Sequence, residues 1–406
     1  MPGSPSARRR LPLSRLRLAA AALALLLACG VGFEPFGAAL AQAPVAKKRV
    51  QPKKAPPAPP KPSIPPRDAF TLAEQDTAAV PGIPNARFWG DSRPAFEAAL
   101  PTAGGPWLAL SSGGADGAFG AGVLTGWSAA GQRPEFALVT GVSTGALMAP
   151  FVFAGAKYDD RLRDAYTTIN ATDIFELGGK GESFFDTWPL RDLIAKRVTP
   201  DLLADIAAEH RKGRRLLVMT TNLDAERPVA WNMGEIASAG TEAGLKLFRD
   251  ILLAAGSIPG AFPPVLIGVE AGGRKFQEMH GDGGMNNQFY VAPASLLTPT
   301  STARLPAPAL YVIINTRLTP EFQVTERSTL SIIARGVSII VKSLTRVMID
   351  QTYSAAKRSN VPFKLAIIDP KFNAPSRGAF DTEYMKALFA LGFERGKTGT
   401  AFQDEP

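Results

Sequence analysis

The chain has one cysteine, Cys29, and two histidines, His210 and His280, in 406 residues. A single cysteine excludes an intrachain disulfide framework and the zinc sites built on cysteine clusters. No stretch has the spacing of a calcium loop or a zinc site, so neither a metal nor a cofactor is called for. Two histidines also count against a serine–histidine relay, because few residues remain to serve as its base. No apolar run reaches the roughly 20 residues of a membrane-spanning helix. No internal repeat is visible. Acidic residues are nearly missing from positions 1–66, which hold eleven basic residues and only Glu34 on the other side. The rest of the chain, with 34 basic and 35 acidic residues, is close to neutral. The formal charge of +9 therefore belongs to the N-terminal segment and does not indicate a nucleic-acid face.

That segment reads as an export signal of the bacterial type. Arg8, Arg9, Arg10, Arg15 and Arg17 precede an apolar run of eleven residues, Leu18 to Ala28. Two processing readings stand side by side. Ala39-Leu40-Ala41 is a small-x-small cleavage site, giving a signal peptide over 1–41. Leu26-Leu27-Ala28-Cys29 resembles a lipobox, with Cys29 carrying lipid and the signal ending at 28. Either places the protein in the cell envelope or outside it. Residues 42–66, rich in Pro, Ala and Lys, form no core and read as an extended tether whose lysines suit anionic headgroups or cell-wall polymer.

From 67 to 406 the pattern is that of one domain. Apolar strands are expected at 107–111, 136–140, 215–220, 228–232, 274–279, 309–315 and 363–368. Helices are expected near 93–100, 118–130, 144–154, 187–197, 200–211, 245–256, 325–350 and 381–393. Alternation of this kind predicts an α/β fold, a mostly parallel sheet covered by helices, with the site at the carboxyl ends of the strands. The 325–350 stretch has two readings. It is a helix packed on the sheet, or a surface helix that meets a membrane through apolar side chains and an Arg/Lys flank.

Three motifs carry chemistry. Gly141-Val142-Ser143-Thr144-Gly145 sits between the strand 136–140 and a small-residue helix, the context of a nucleophile elbow. With 38 glycines in the chain such a pentapeptide also arises by chance, so its neighbours have to support it. Ser112-Gly113-Gly114-Ala115-Asp116-Gly117 follows the strand 107–111. A glycine-rich turn there presents backbone N–H groups to a phosphate or an oxyanion. No Gly-Lys-Ser/Thr follows, and Gly117 to Gly122 only loosely fits a dinucleotide loop; a plain tight turn is the remaining reading. Asp282-Gly283-Gly284 follows the strand 274–279, and its carboxylate is a candidate base for Ser143. Of the histidines, His210 reads as a surface residue at the polar end of a helix. His280 would share a face with Asp282 and reach the pocket, although a relay at i, i+2 has awkward geometry.

Together the glycine loop, GxSxG, Asp-Gly-Gly and the absence of a suitable histidine resemble the patatin-like phospholipases. Ala254 to Pro264, Thr220 to Asp224 and Pro228 to Asn232 extend the resemblance over roughly 107–295. It implies a three-layer α/β/α sandwich and a Ser–Asp dyad that cleaves acyl esters of lipids at a membrane surface. Carried over, Ser143 is the nucleophile, Asp282 the base, and the N–H groups of Gly113, Gly114 and Asp116 form the oxyanion hole. Two positions depart from the family pattern. Ser112 replaces the first loop glycine, and Asp116 stands where Arg or Lys is frequent, an anion that would repel a phosphate headgroup. Two rival readings remain at this level: a non-catalytic envelope protein that binds lipid or a partner on the same fold, and a protease or amidase with the same elbow.

Overall fold

The computed structural model describes residues 64, 66–178 and 181–406. The segment expected to be an export signal, with Cys29, and the expected tether up to position 63 lie outside the described residues. The strands, in chain order, are β1 (Arg87–Trp89), β2 (Trp107–Leu110), β3 (Leu138–Val142), β4 (Glu176–Leu177), β5 (Phe185–Asp186), β6 (Arg215–Asn222), β7 (Arg227–Asn232), β8 (Val265–Ala271), β9 (Arg274–Asp282), β10 (Leu310–Ile314) and β11 (Phe363–Ile367). The longer helices are α1 (Gly117–Ala129), α2 (Thr144–Ala154), α3 (Asp159–Thr167), α4 (Trp188–Arg197), α5 (Pro200–Arg211), α6 (Glu242–Ala255), α7 (Thr329–Ser359) and α8 (Thr382–Lys397).

The main sheet runs β1-β7-β6-β3-β2-β10-β11. Its centre, from β6 to β11, is parallel. β7 and β1 extend it antiparallel, and β9 pairs antiparallel with β6 and with β8. This is the α/β architecture with a mostly parallel sheet that the sequence predicts. Every residue of β2 and β3 is buried, as parallel strands covered on both faces require; β2 reads as an unbroken apolar run, and β3 is broken only by Thr140, whose hydroxyl donates to Tyr290 O, and Gly141. Successive side chains then go to opposite layers. Leu108, Leu110 and Val139 join the core under α1, α2, α5, α6 and α8, whereas Trp107, Ala109 and Leu138 join Phe96, Phe289, Ile349 and Ala356 on the other face.

The structure adds elements that the pattern does not announce. β8 completes a hairpin with β9 through the two-residue turn Gly272-Gly273, both with positive φ. Gly268 interrupts its apolar run, but Val265, Ile267, Val269 and Ala271 alternate inward. α3 is polar except for Leu162, Ala165 and Tyr166, so it leaves little periodic signal. α7 is longer than expected and ends where Asn360 turns left-handed. The stretch Gly117 to Gly122 is helical and close-packed, not a nucleotide loop. A Cβ at Gly122 would sit 2.2 Å from Phe389 O of α8, and one at Gly120 2.4 Å from Asn315 Oδ1.

Candidate active site

Strand β6 acts as the ruler of the site. Along one edge it pairs first with β3, ending at Val142 opposite Met219, and then with β9, where Asp282 stands opposite Thr220. β7 occupies the other edge of β6 over these positions. The end of β3 and the end of β9 therefore meet at consecutive residues of one strand. The chain leaves β3 through Ser143, which has φ 53° and ψ −122°, a backbone conformation that costs about 1–3 kcal/mol and lifts the side chain out of the turn. The flanking glycines are sterically required. A Cβ at Gly145 would lie 2.3 Å from Leu110 O, and one at Gly141 2.5 Å from Gly145 O.

The result is a direct contact: Ser143 Oγ donates to Asp282 Oδ2 at 2.7 Å. The other carboxylate oxygen accepts from Gly284 N–H at 2.7 Å. The main chain of Asp282 is fixed as well, its N–H donating to Ser257 O at 2.9 Å and its carbonyl accepting from Thr221 Oγ1 at 3.0 Å. The Ala254–Pro264 segment thus serves as a brace behind the aspartate. Burial pushes the Asp282 carboxyl up to about 6, and the bonds from Ser143 and Gly284 oppose that rise. At neutral pH the group is ionised and a stronger base than an exposed aspartate.

The glycine loop lies across from the serine. Gly113 (φ 156°) and Gly114 (φ 56°) adopt backbone conformations that favour glycine. Among the described residues their N–H groups have no hydrogen-bond partner. Gly114 also lines the pocket that contains Ser143. Asp116, expected as a third donor at the mouth of the hole, requires correction. Its N–H donates to Gly113 O at 3.0 Å, and its carboxyl is buried, accepting from Tyr384 Oη at 2.7 Å. Burial pushes that carboxyl up to about 7. A buried group neutral below that pH does not set a full negative charge before an approaching phosphate. Ser112 keeps a negative φ and is held by Gln288, through its own N–H at 2.8 Å and through its hydroxyl.

His280 also requires correction, because it does not reach the pocket. The ring is fully buried, with Nδ1 3.0 Å from Thr220 Oγ1 and Nε2 3.2 Å from Glu278 Oε2; Glu278 in turn pairs with Arg87. Burial lowers its pKa. His210 is not a free surface residue either. Its side chain is 10% exposed, packed on Gly234 with Nε2 3.3 Å from Glu235.

The pocket beside Ser143 spans about 830 Å³ when the open space at its mouth is included. Leu147 and Phe151 of α2, Leu190 and Ile194 of α4, Leu252 of α6 and Phe262 give it apolar walls. Two polar lining residues escape sequence reasoning. Tyr166 of α3 donates to Thr144 O at 2.9 Å, and Arg197 donates to Arg161 O at 3.1 Å. Asn315 is a third omission. Its amide donates to Ser111 O at 2.9 Å and accepts from Gly120 N–H at 3.1 Å, bracing the glycine loop. Its place at the carboxyl end of β10 was the available signal.

An apolar pocket lined by a serine that is bonded to a buried carboxylate can support acyl transfer through the serine hydroxyl. Residues 108–295 match the family model of the patatin-like phospholipases. The chain carries a patatin-like phospholipase domain. The family implies lipid acyl hydrolase activity on lipid esters. Among solved structures the chain is similar to VipD from Legionella pneumophila, at 13% identity and a TM-score of 0.40, over 75% of this chain and 68% of that one. Among curated proteins none matches the chain significantly.

Proposed function

We propose that the protein is a serine acyl hydrolase that cleaves fatty-acyl esters through a Ser143–Asp282 dyad and an acyl-serine intermediate. The observation that carries this reading is the 2.7 Å bond from Ser143 Oγ, in the lining of an apolar pocket, to a buried Asp282 carboxylate. Asp282 takes the hydroxyl proton as Oγ attacks the ester carbonyl. The N–H groups of Gly113 and Gly114 stabilise the tetrahedral oxyanion, at about 3 kcal/mol per donor. The acyl chain lies along Leu147 and Phe151. Collapse expels the alcohol, which leaves with the proton from Asp282. Water, deprotonated by Asp282, then releases the fatty acid and restores Ser143.

The substrate is a lipid ester of the phospholipase A type, taken from a membrane surface, and no metal or cofactor enters the steps. With Asp116 buried, a phosphate headgroup is compatible with the site. Export by the N-terminal signal, with or without lipid on Cys29, would place this activity in a bacterial envelope. Hydrolysis of short- and long-chain acyl esters by wild type and Ser143→Ala tests the reading. We expect fatty-acid release by wild type and loss of at least about 10³-fold in the variant. Equal turnover by the two proteins would refute it.

A further inference from the structure

Helix α7 has two unlike halves. Its C-terminal half is seated in the core through Ile349, Thr352, Ala355 and Ala356. Toward its N-terminus Ala334 and Lys342 are buried, but Ile332, Ile333, Ile339, Ile340 and, just past the midpoint, Val347 are 46–64% exposed. Spacings of seven and eight residues between positions 332, 339, 340 and 347 put these side chains in one stripe. The preceding loop adds Phe322, 97% exposed, and Val324, 80% exposed. A contiguous set of large apolar side chains held in water signals a surface that is covered in use.

The flanks of the stripe point to what covers it. From Arg327 to Arg346 the sequence carries Arg327, Arg335, Lys342 and Arg346 and no acid, while Glu321 and Glu326 bracket Phe322 and Val324 in the preceding loop and Glu321 is neutralised by Arg317 and Lys342. Arg335 and Arg346 donate to the main-chain carbonyls of Glu321 and Leu318, which leaves their charge in place. Of the four, Lys342 alone is paired with a carboxylate among the described residues, Glu321 at 2.7 Å. An apolar stripe with cationic flanks complements an anionic lipid surface. It fits a second copy poorly, because an isologous dimer would set the same cations against each other. No helix among the described residues is long and apolar enough to cross a membrane, so α7 would lie on the bilayer.

The stripe is also tied to the reaction centre. The loop that carries Phe322 and Val324 leaves β10 at its carboxyl end, beside β2, and Thr316 Oγ1 donates to Ser112 O at 3.2 Å. Farther on, Gln288 N–H donates to Met348 Sδ at 3.4 Å, while Gln288 Nε2 donates to Gly284 O at 2.6 Å. α7 thus rests against residues that hold both the glycine loop and the aspartate turn.

We infer that the Ile332–Val347 stripe with Phe322 and Val324 is the surface by which the protein lies on an anionic bilayer, setting the Ser143 pocket against its lipid. The inference rests on the acyl-ester reading of that pocket. The test is co-sedimentation of the full chain with vesicles of phosphatidylcholine plus phosphatidylglycerol, and of phosphatidylcholine alone, for wild type and the double variant Ile339→Ser/Ile340→Ser. Serine at these exposed helix positions is compatible with folding. Hydrolysis of a soluble, monomeric short-chain ester is followed in parallel.

We expect wild type to prefer the anionic vesicles and the preference to fall with salt. The double variant binds them about tenfold more weakly or worse, with turnover of the soluble ester retained. Arg327→Gln weakens binding to the anionic vesicles alone. Equal vesicle binding by wild type and the double variant overturns the docking surface, even where the soluble ester is turned over. A wild-type dimer by light scattering that the double variant converts to monomer overturns it too, since a second copy would then cover the stripe. Absence of soluble-ester turnover by wild type would instead strike the Ser143 reading, whatever the vesicles show.

Discussion

Asp282 and Asp116 are two buried carboxylates in the same molecule, one 5% and one 2% exposed. Burial raises both, to about 6 and about 7. By burial and acidity alone Asp116 is the more perturbed, and a search for perturbed groups would choose it first. Geometry separates them. Asp282 accepts from the Ser143 hydroxyl and a backbone N–H at the pocket, whereas Asp116 accepts from Tyr384 beneath the glycine loop. A raised pKa marks a costly carboxylate; the pairing of β3 and β9 along β6 decides which one lies within hydrogen-bond reach of the Ser143 hydroxyl.

The widest separation between the two should appear in turnover. Asp282→Asn removes the base and should lower kcat/KM by about 10³-fold or more, while Asp116→Asn, which keeps the Tyr384 contact, should cost less than about tenfold. Losses of similar size in the two variants would break the distinction. A second difference lies in the pH profile. The acid limb of kcat/KM should rise through about pH 6 as Asp282 ionises and then level off. Asp116→Asn should leave that limb in place, and a displaced limb would make Asp116 the titrating group.

The smallest effect concerns stability. Asp116 has a folded pKa of about 7, above the unfolded value near 3.9, so the folded form holds its proton more tightly. Its contribution to stability is complete below the unfolded value and is lost as pH rises through about 7. Replacing it with Asn removes that loss. The Tm of Asp116→Asn relative to wild type should therefore climb between about pH 4 and pH 8, by about 2–5 °C. A Tm difference independent of pH would mean that the buried carboxyl titrates normally.

Much of the site was legible in sequence because its motifs are local. An elbow needs only strand, Gly-x-Ser-x-Gly and helix, and the aspartate turn needs only Asp-Gly-Gly after a strand. The parallel strands were legible because their burial on both faces writes them as apolar runs. What escaped reading depends on distant partners. The burial of Asp116 is made by Tyr384, 268 residues away, so the same aspartate looked like a charge at the site's mouth. His280 lies two residues before Asp282 on one strand, and nothing local says that Thr220 and Trp231 of other strands close around it with Glu278. Tyr166 lies on a helix whose polar sequence, Asp159 to Thr167, reads as a loop. The exposed isoleucines of α7 are ambiguous for a related reason: periodicity shows an apolar face without showing whether the protein itself covers it.

The central claim is that Ser143 is a nucleophile activated by Asp282. Its most direct test is mass spectrometry of the folded protein after reaction with a fluorophosphonate ester, comparing wild type with Asp282→Asn. The account predicts one phosphonyl adduct on Ser143 in wild type and little or none in the variant over the same time. An unlabelled wild-type serine, or equal labelling in both proteins, would contradict it.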